Sequence, residues 1–142
     1  MGTHRFTVRV DAPPESVFDL WINLDRAHEW IGGLKGFTDV TGPVDQVGTR
    51  YTARFGPMSS PTEVLDVDRP RVFRTRFGSR LLAGESSATF EPEGDGTLLT
   101  QEFTTKGVIP AVAAWIFSIG SYRGSFRGEL NKFASIAGRE KR

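Results

Sequence analysis

Phe6, Val8 and Val10 alternate with Arg5, Thr7 and Arg9, the two-residue period of a strand with one buried face. Asp11-Ala12-Pro13-Pro14 ends that segment. Pro14 suits a first helical turn, where its missing N–H removes no bond, and Glu15 sits near the positive end of the helix dipole. Val17, Phe18, Trp21 and Ile22 then share one helical face. Asn23-Leu24-Asp25 interrupts it, and Asp25 is expected to cap a second short helix that runs through Trp30 and stops at Gly32-Gly33. From there to Lys106 the chain reads as strands and turns. Residues 37–41 form a short strand; residues 49–55 alternate with Tyr51, Ala53 and Phe55 on one side; residues 62–67 follow. Residues 72–77 place Phe73, Thr75 and Phe77 together, and residues 82–90 run to the turn Glu93-Gly94-Asp95-Gly96. Residues 97–105 return with Leu99, Gln101, Phe103 and Thr105 on one side. Short turns between successive strands predict an antiparallel meander.

The final third changes period. Val112, Trp115, Ile116, Ile119, Tyr122, Arg123, Phe126, Leu130, Phe133 and Ala137 recur at three-and-four spacing, predicting a helix over 109–137 that is about 40 Å long at 1.5 Å per residue. The expected order is strand, two short helices, six strands and one long helix: an α+β fold of about seven antiparallel strands, in a single domain spanning residues 1–142. The helix carries Gly120, Gly124 and Gly128 at four-residue spacing, each less favourable than alanine by about 0.5–1 kcal/mol. Either a ligand or the sheet approaches the backbone there, or the helix packs tightly or bends.

That order, together with certain residues, is similar to the helix-grip fold of the START-like, or SRPBCC, superfamily, and within it to the polyketide cyclase/dehydrase-like group. The residues are those at 8–18 (VRVDAPPESVF), Trp30, those at 64–71 (VLDVDRPR) and those at 96–100 (GTLLT). The resemblance implies a curved sheet gripping the long helix around an internal cavity. It also implies a function somewhere between lipid carrier, natural-product sequestration and aromatase/cyclase chemistry, because a fold does not choose among these.

Composition narrows the chemistry. Cysteine is absent, which excludes disulfides and thiolate chemistry and fits a reducing, cytoplasmic setting. Eighteen basic and seventeen acidic residues give a net charge of +1 with signs interspersed, so nucleic acid is not an expected partner. Residues 108–120 form the longest apolar run, short of the ~20 residues that span a bilayer, and no secretory leader pattern opens the chain. Stable membrane insertion is therefore not expected, and the protein is expected as a monomer or weak homodimer. His4 and His28 are the two histidines, both in stretches expected at the surface, so neither a Ser–His pair nor a metal site is expected, and no cofactor.

The remaining polar candidates are those placed to face a cavity. Tyr51 and Tyr122 offer hydroxyls that orient a phenol or ketone, or act as general acids if their pKa is lowered. Gln101 and Thr75 lie on expected inward faces, where a polar group needs a partner. Arg123 borders the apolar stripe and is suited to a carboxylate or enolate; its alternative role is a solvated arginine whose stem covers the helix flank. Tyr122 and Arg123 are the candidate catalytic residues. Trp30, Tyr51, Phe55, Phe73, Thr75, Gln101, Phe103, Trp115, Ile119 and Phe126 are the expected ligand contacts. Eleven phenylalanines and three tryptophans suit flat or acyl ligands. The sequence thus points to a binder of a hydrophobic, polyketide-like or lipid molecule, with a metal-free polyketide cyclase or dehydratase as the enzymatic alternative. An interaction module using the apolar stretch 108–119 is a third reading.

Overall fold

The computed structural model describes residues 2–55, 58–78, 83–106 and 122–140. Strand β1 (Gly2–Val10) leads through Pro13 into helix α1 (Pro14–Trp21), with Pro14 in its first turn, Glu15 beside it, and Val17, Phe18 and Leu20 buried. The chain then makes a single 3-10 turn, Ala27–Glu29, before β2 (Gly36–Thr38), β3 (Arg50–Phe55), β4 (Met58–Asp68), β5 (Val72–Gly78), β6 (Ala83–Glu93) and β7 (Gly96–Lys106). Helix α2 (Tyr122–Arg139) closes the order. The expected helix start at residue 109, Trp115, Ile119 and the apolar stretch 108–119 lie outside the described residues.

All seven strands form one antiparallel sheet in the order β1-β7-β6-β5-β4-β3-β2. Five of its six pairings join strands consecutive in sequence, as the short turns predict; β1 alone reaches across the chain, pairing along its whole length with β7 from Gly2↔Thr105 to Val10↔Thr97. Gly94, at φ +63°, supplies the left-handed residue that the tight β6–β7 turn requires. Strand β4 is longer than the apolar pattern indicates and includes Pro61, with a register irregularity between Val64 and Asp66 that bends the sheet.

Two local expectations need correction. The second short helix is only the 3-10 turn, because three residues separate Arg26 from Trp30 and Gly32-Gly33 follow at once, too few for helical bonding to propagate. Asp25 does not cap it: the preceding residue is Arg26, with no side-chain cap, and the Asp25 amide donates instead to Asn23 Oδ1 at 3.1 Å.

The core lies between the concave sheet face and the helices. Phe18, Phe90, Phe133, Leu99, Leu130, Val10, Val17 and Val64 are fully buried. Phe18 stacks edge-on against Phe90 at 5.3 Å, and Phe133 of α2 meets Trp21 at 5.1 Å and Trp30 at 4.9 Å. Thr97 is also fully buried and donates to the Ala12 carbonyl at 2.7 Å, pinning the β1–α1 corner to β7. A second tie holds the far end of α2: Arg26 pairs with both Glu29 and Glu140, residues 114 positions apart in the Arg26–Glu140 case. At Gly128 a β-carbon would meet nothing within 4 Å among the described residues, so neither close approach nor tight packing by them explains that glycine.

Candidate functional site

The strand register fixes which side chains share the concave face. Phe6 lies opposite Gln101, Ser86 opposite both Phe103 and Thr75, Ala88 opposite Gln101 and Phe73, and Tyr51 opposite Thr62. Where the sheet curves away from α1, the 3-10 turn and α2, it leaves a cavity of about 230 Å³. Trp30, Tyr51, Phe55, Phe73, Thr75, Gln101 and Phe103 all line it, so seven of the ten ligand contacts expected from sequence converge on one space. Trp115 and Ile119 lie outside the described residues, as do the side chains of Tyr122, Arg123 and Phe126, whose backbone belongs to the first turns of α2.

Aromatic packing sets the cavity walls. Phe37 braces Tyr51 edge-on at 5.5 Å, Phe18 braces Phe73 at 6.2 Å, and Phe6 and Phe77 flank Phe103 at 6.5 and 6.4 Å. Such pairs fix ring orientation and contribute beyond the apolar area they bury. The roof comes from Trp21, Leu24, Ile31 and Leu34 before and after the 3-10 turn, and from Leu130 and Glu129 of α2.

The polar groups in and beside the cavity add to what the sequence indicated. Thr62, Ser86 and Glu129 line the cavity although the sequence did not single them out. Glu129 accepts from the Gly32 amide at 3.1 Å, which ties the roof loop to α2. A glutamate in a helix reads as solvent-facing, and no local pattern reveals a bond to a residue 97 positions away. His4, expected at the surface, shares the inward face of β1 with Phe6 and lies opposite Phe103, half buried; its parity with Phe6 was the available signal.

Tyr51 does not meet the condition set for acting as a general acid. Its pKa is not lowered but pushed up to about 12, because burial penalises the phenolate. The hydroxyl is therefore a neutral hydrogen-bond donor and acceptor at ordinary pH rather than a ready proton source. Tyr51 and Thr75 are each 8% exposed, and Tyr51, Thr75, Ser86 and Gln101 have no side-chain hydrogen bond among the described residues. Among the described residues no group of three or more His, Cys, Asp or Glu side chains is arranged to hold a metal ion. Among them too, no helix is long and apolar enough to cross a membrane. A larger depression of about 550 Å³ lies over β3 to β6, but its rim is mainly the outward-pointing Arg50, Thr52, Pro61, Glu63, Arg76 and Glu85, and it opens to solvent. The smaller space under the helices, walled by Trp30, Phe55, Phe73 and Phe103 and less open to solvent, is the better ligand site.

This curved seven-stranded sheet, closed by a C-terminal helix over an apolar cavity, matches the family described as polyketide cyclase / dehydrase and lipid transport over residues 1–137. The chain belongs to that family, of the SRPBCC, helix-grip type. Its fold is similar to that of protein MLL2253 from Mesorhizobium loti, with a TM-score of 0.78, 18% identity and coverage of 98% of both chains. It is also similar to a protein from Thermobifida fusca, with a TM-score of 0.77, 19% identity and coverage of 98% of this chain and 95% of that one. A point mutant of norcoclaurine synthase from Thalictrum flavum, in complex with a transition-state analogue, superposes with a TM-score of 0.73 at 12% identity, covering 99% of this chain and 96% of that one. No curated protein matches the sequence.

Proposed function

We propose that the protein holds a hydrophobic small molecule, polyketide-like or lipid, in the cavity beneath α2, as a carrier or sequestering protein. One observation carries this reading: a partly enclosed, aromatic-walled space into which Tyr51 and Thr75, each 8% exposed, bring polar groups without a partner among the described residues. Buried polar groups in folded proteins are satisfied as a rule, so such a pair is ordinarily completed by a ligand or ordered water. Trp30, Phe55, Phe73, Gln101 and Phe103 supply the remaining contacts in this reading.

The test is thermal unfolding of the purified protein with fatty acids, sterols, flavonoids and aromatic polyketides. A ligand at 100 times its dissociation constant stabilises the folded state by about 2.7 kcal/mol. For a domain of this size the midpoint then rises by roughly 8–16 °C. A rise confined to one chemical class identifies the ligand class; no rise with any class overturns the reading.

The neutral Tyr51 hydroxyl favours a second reading, a cyclase or dehydratase in which that group donates to a substrate carbonyl and polarises it. Tyr122 and Arg123, at the start of α2, join Tyr51 in this version. Mass spectrometry of a stabilising ligand after incubation separates the two: recovery unchanged fits a carrier, whereas loss of water or ring closure fits the enzyme.

A further inference from the structure

We infer that the cavity selects uncharged ligands bearing several oxygen functions, laid across the strands, and that Thr75, Ser86 and Gln101 set this preference. The inference rests on the proposed use of the cavity as a ligand site and names the chemistry it accepts. The strand register places one hydrogen-bonding side chain on each of five neighbouring strands: Tyr51, Thr62, Thr75, Ser86 and Gln101. Tyr51 lies directly opposite Thr62, and Thr75 directly opposite Ser86. Thr62 is one inward position from Val64, the partner of Thr75, and Ser86 is one inward position from Ala88, the partner of Gln101. The steps along this diagonal therefore alternate between about 5 Å for direct neighbours and about 7–8 Å for diagonal ones. All five residues line the same cavity, with Phe73, Phe77 and Phe103 between and beside them.

A plain hydrocarbon chain laid on this surface would cover the diagonal without pairing it. Tyr51, Thr75, Ser86 and Gln101 would then lose water and gain no hydrogen bond, which is the expensive outcome for a buried polar group. A ligand whose oxygens fall at those intervals pairs them, and its apolar skeleton meets the rings between. A site built this way rejects an analogue lacking the oxygens more strongly than an all-apolar pocket rejects one that has them. Charge points the same way. Thr62, Thr75, Ser86 and Gln101 are neutral, Tyr51 stays protonated at physiological pH, and no lysine, arginine or histidine is among the described lining residues, so an anionic head group would enter a low-dielectric space without a described cation to pair with. The accepted class is neutral and oxygenated rather than fatty acid.

Isothermal titration calorimetry at pH 6 with 5,7-dihydroxyflavone, flavone and dodecanoate tests this. The wild-type protein is expected to bind dihydroxyflavone at least about tenfold more tightly than flavone, one well-made hydrogen bond's worth or more, and dodecanoate more weakly than either. Thr75→Val with Gln101→Met, which keep shape and remove the diagonal's centre and end, should bring the two flavones to within about twofold by weakening only the hydroxylated one. Ser86→Ala, the smallest truncation, serves if the double variant does not fold. In the ligand-free protein Thr75→Val should melt at or above the wild-type temperature, since it removes an unpaired buried hydroxyl. Equal binding of both flavones, tightest binding of dodecanoate, an unchanged preference in the variants, or a markedly lower melting temperature for Thr75→Val each overturns the selectivity while leaving the cavity in use. Failure of all three probes to bind overturns the ligand site itself and the selectivity with it.

Discussion

Tyr51 shows how one residue's surroundings decide its chemistry. Its ring is held edge-on by Phe37 and its hydroxyl is buried, which raises its pKa to about 12. An acid whose folded pKa exceeds its unfolded value of about 10 keeps its proton in the folded state while the unfolded chain releases it. Stability is therefore flat below about pH 10 and falls as the pH rises from about 10 towards 12. Melting temperature measured from pH 8 to pH 11.5 should fall more steeply in the wild-type protein than in Tyr51→Phe above pH 10, and the two profiles should run parallel below it. Much of this residue was legible: alternation at Tyr51, Ala53 and Phe55 assigns it an inward side chain. Its pKa was not, because burial depends on residues such as Phe37 that are distant in sequence. Thr62 and Ser86 stayed hidden for a related reason. A serine or threonine within a strand is compatible with either face, and only the register with Tyr51 and Thr75 assigns them to the cavity.

Elements were easiest to read where period and punctuation agreed. Alternation in β1, β3, β5 and β7, with Gly94-Asp95 between β6 and β7, gives the strands and their order almost unaided. Strand β4 was read short because Pro61 discourages a strand assignment and the irregularity after Val64 breaks the alternation. The 3-10 turn at Ala27–Glu29 was overread, since Asp25 and Gly32-Gly33 read as a start and a stop but leave too short a length between them to support a helix. In α2, the glycine at 128 is exposed, has open space where a β-carbon would project, and sits in the interior of a helix. Gly128→Ala should accordingly stabilise the protein by about 0.5–1 kcal/mol, read as a rise in denaturation midpoint at unchanged denaturant slope. A fall instead would mean that this glycine serves a contact outside the helix.

For the whole molecule, the ends of the helical layer are joined by Arg26, which binds Glu29 and Glu140 together. These bonds hold both carboxyls below their usual range, chiefly by hydrogen bonding to the guanidinium. Depressed carboxylate pKa values contribute stability that is present above about pH 4.5 and is lost as the pH falls through the lowered folded values. Arg26→Met should lower the melting temperature at pH 7 by an amount that shrinks in 1 M salt and shrinks further as the pH falls below about 4.5; a deficit that does not change with acidification would assign the loss to packing of the arginine stem instead. The topology has a consequence for how the chain is made. Each strand from β2 to β6 pairs with the strand that follows it in sequence, but β1 must wait for β7. At ordinary translation speeds about 4–17 s separate their emergence. During that interval β1 has an unpaired backbone and an uncovered apolar face at Phe6, Val8 and Val10, which makes it the strand of this sheet most in need of a chaperone.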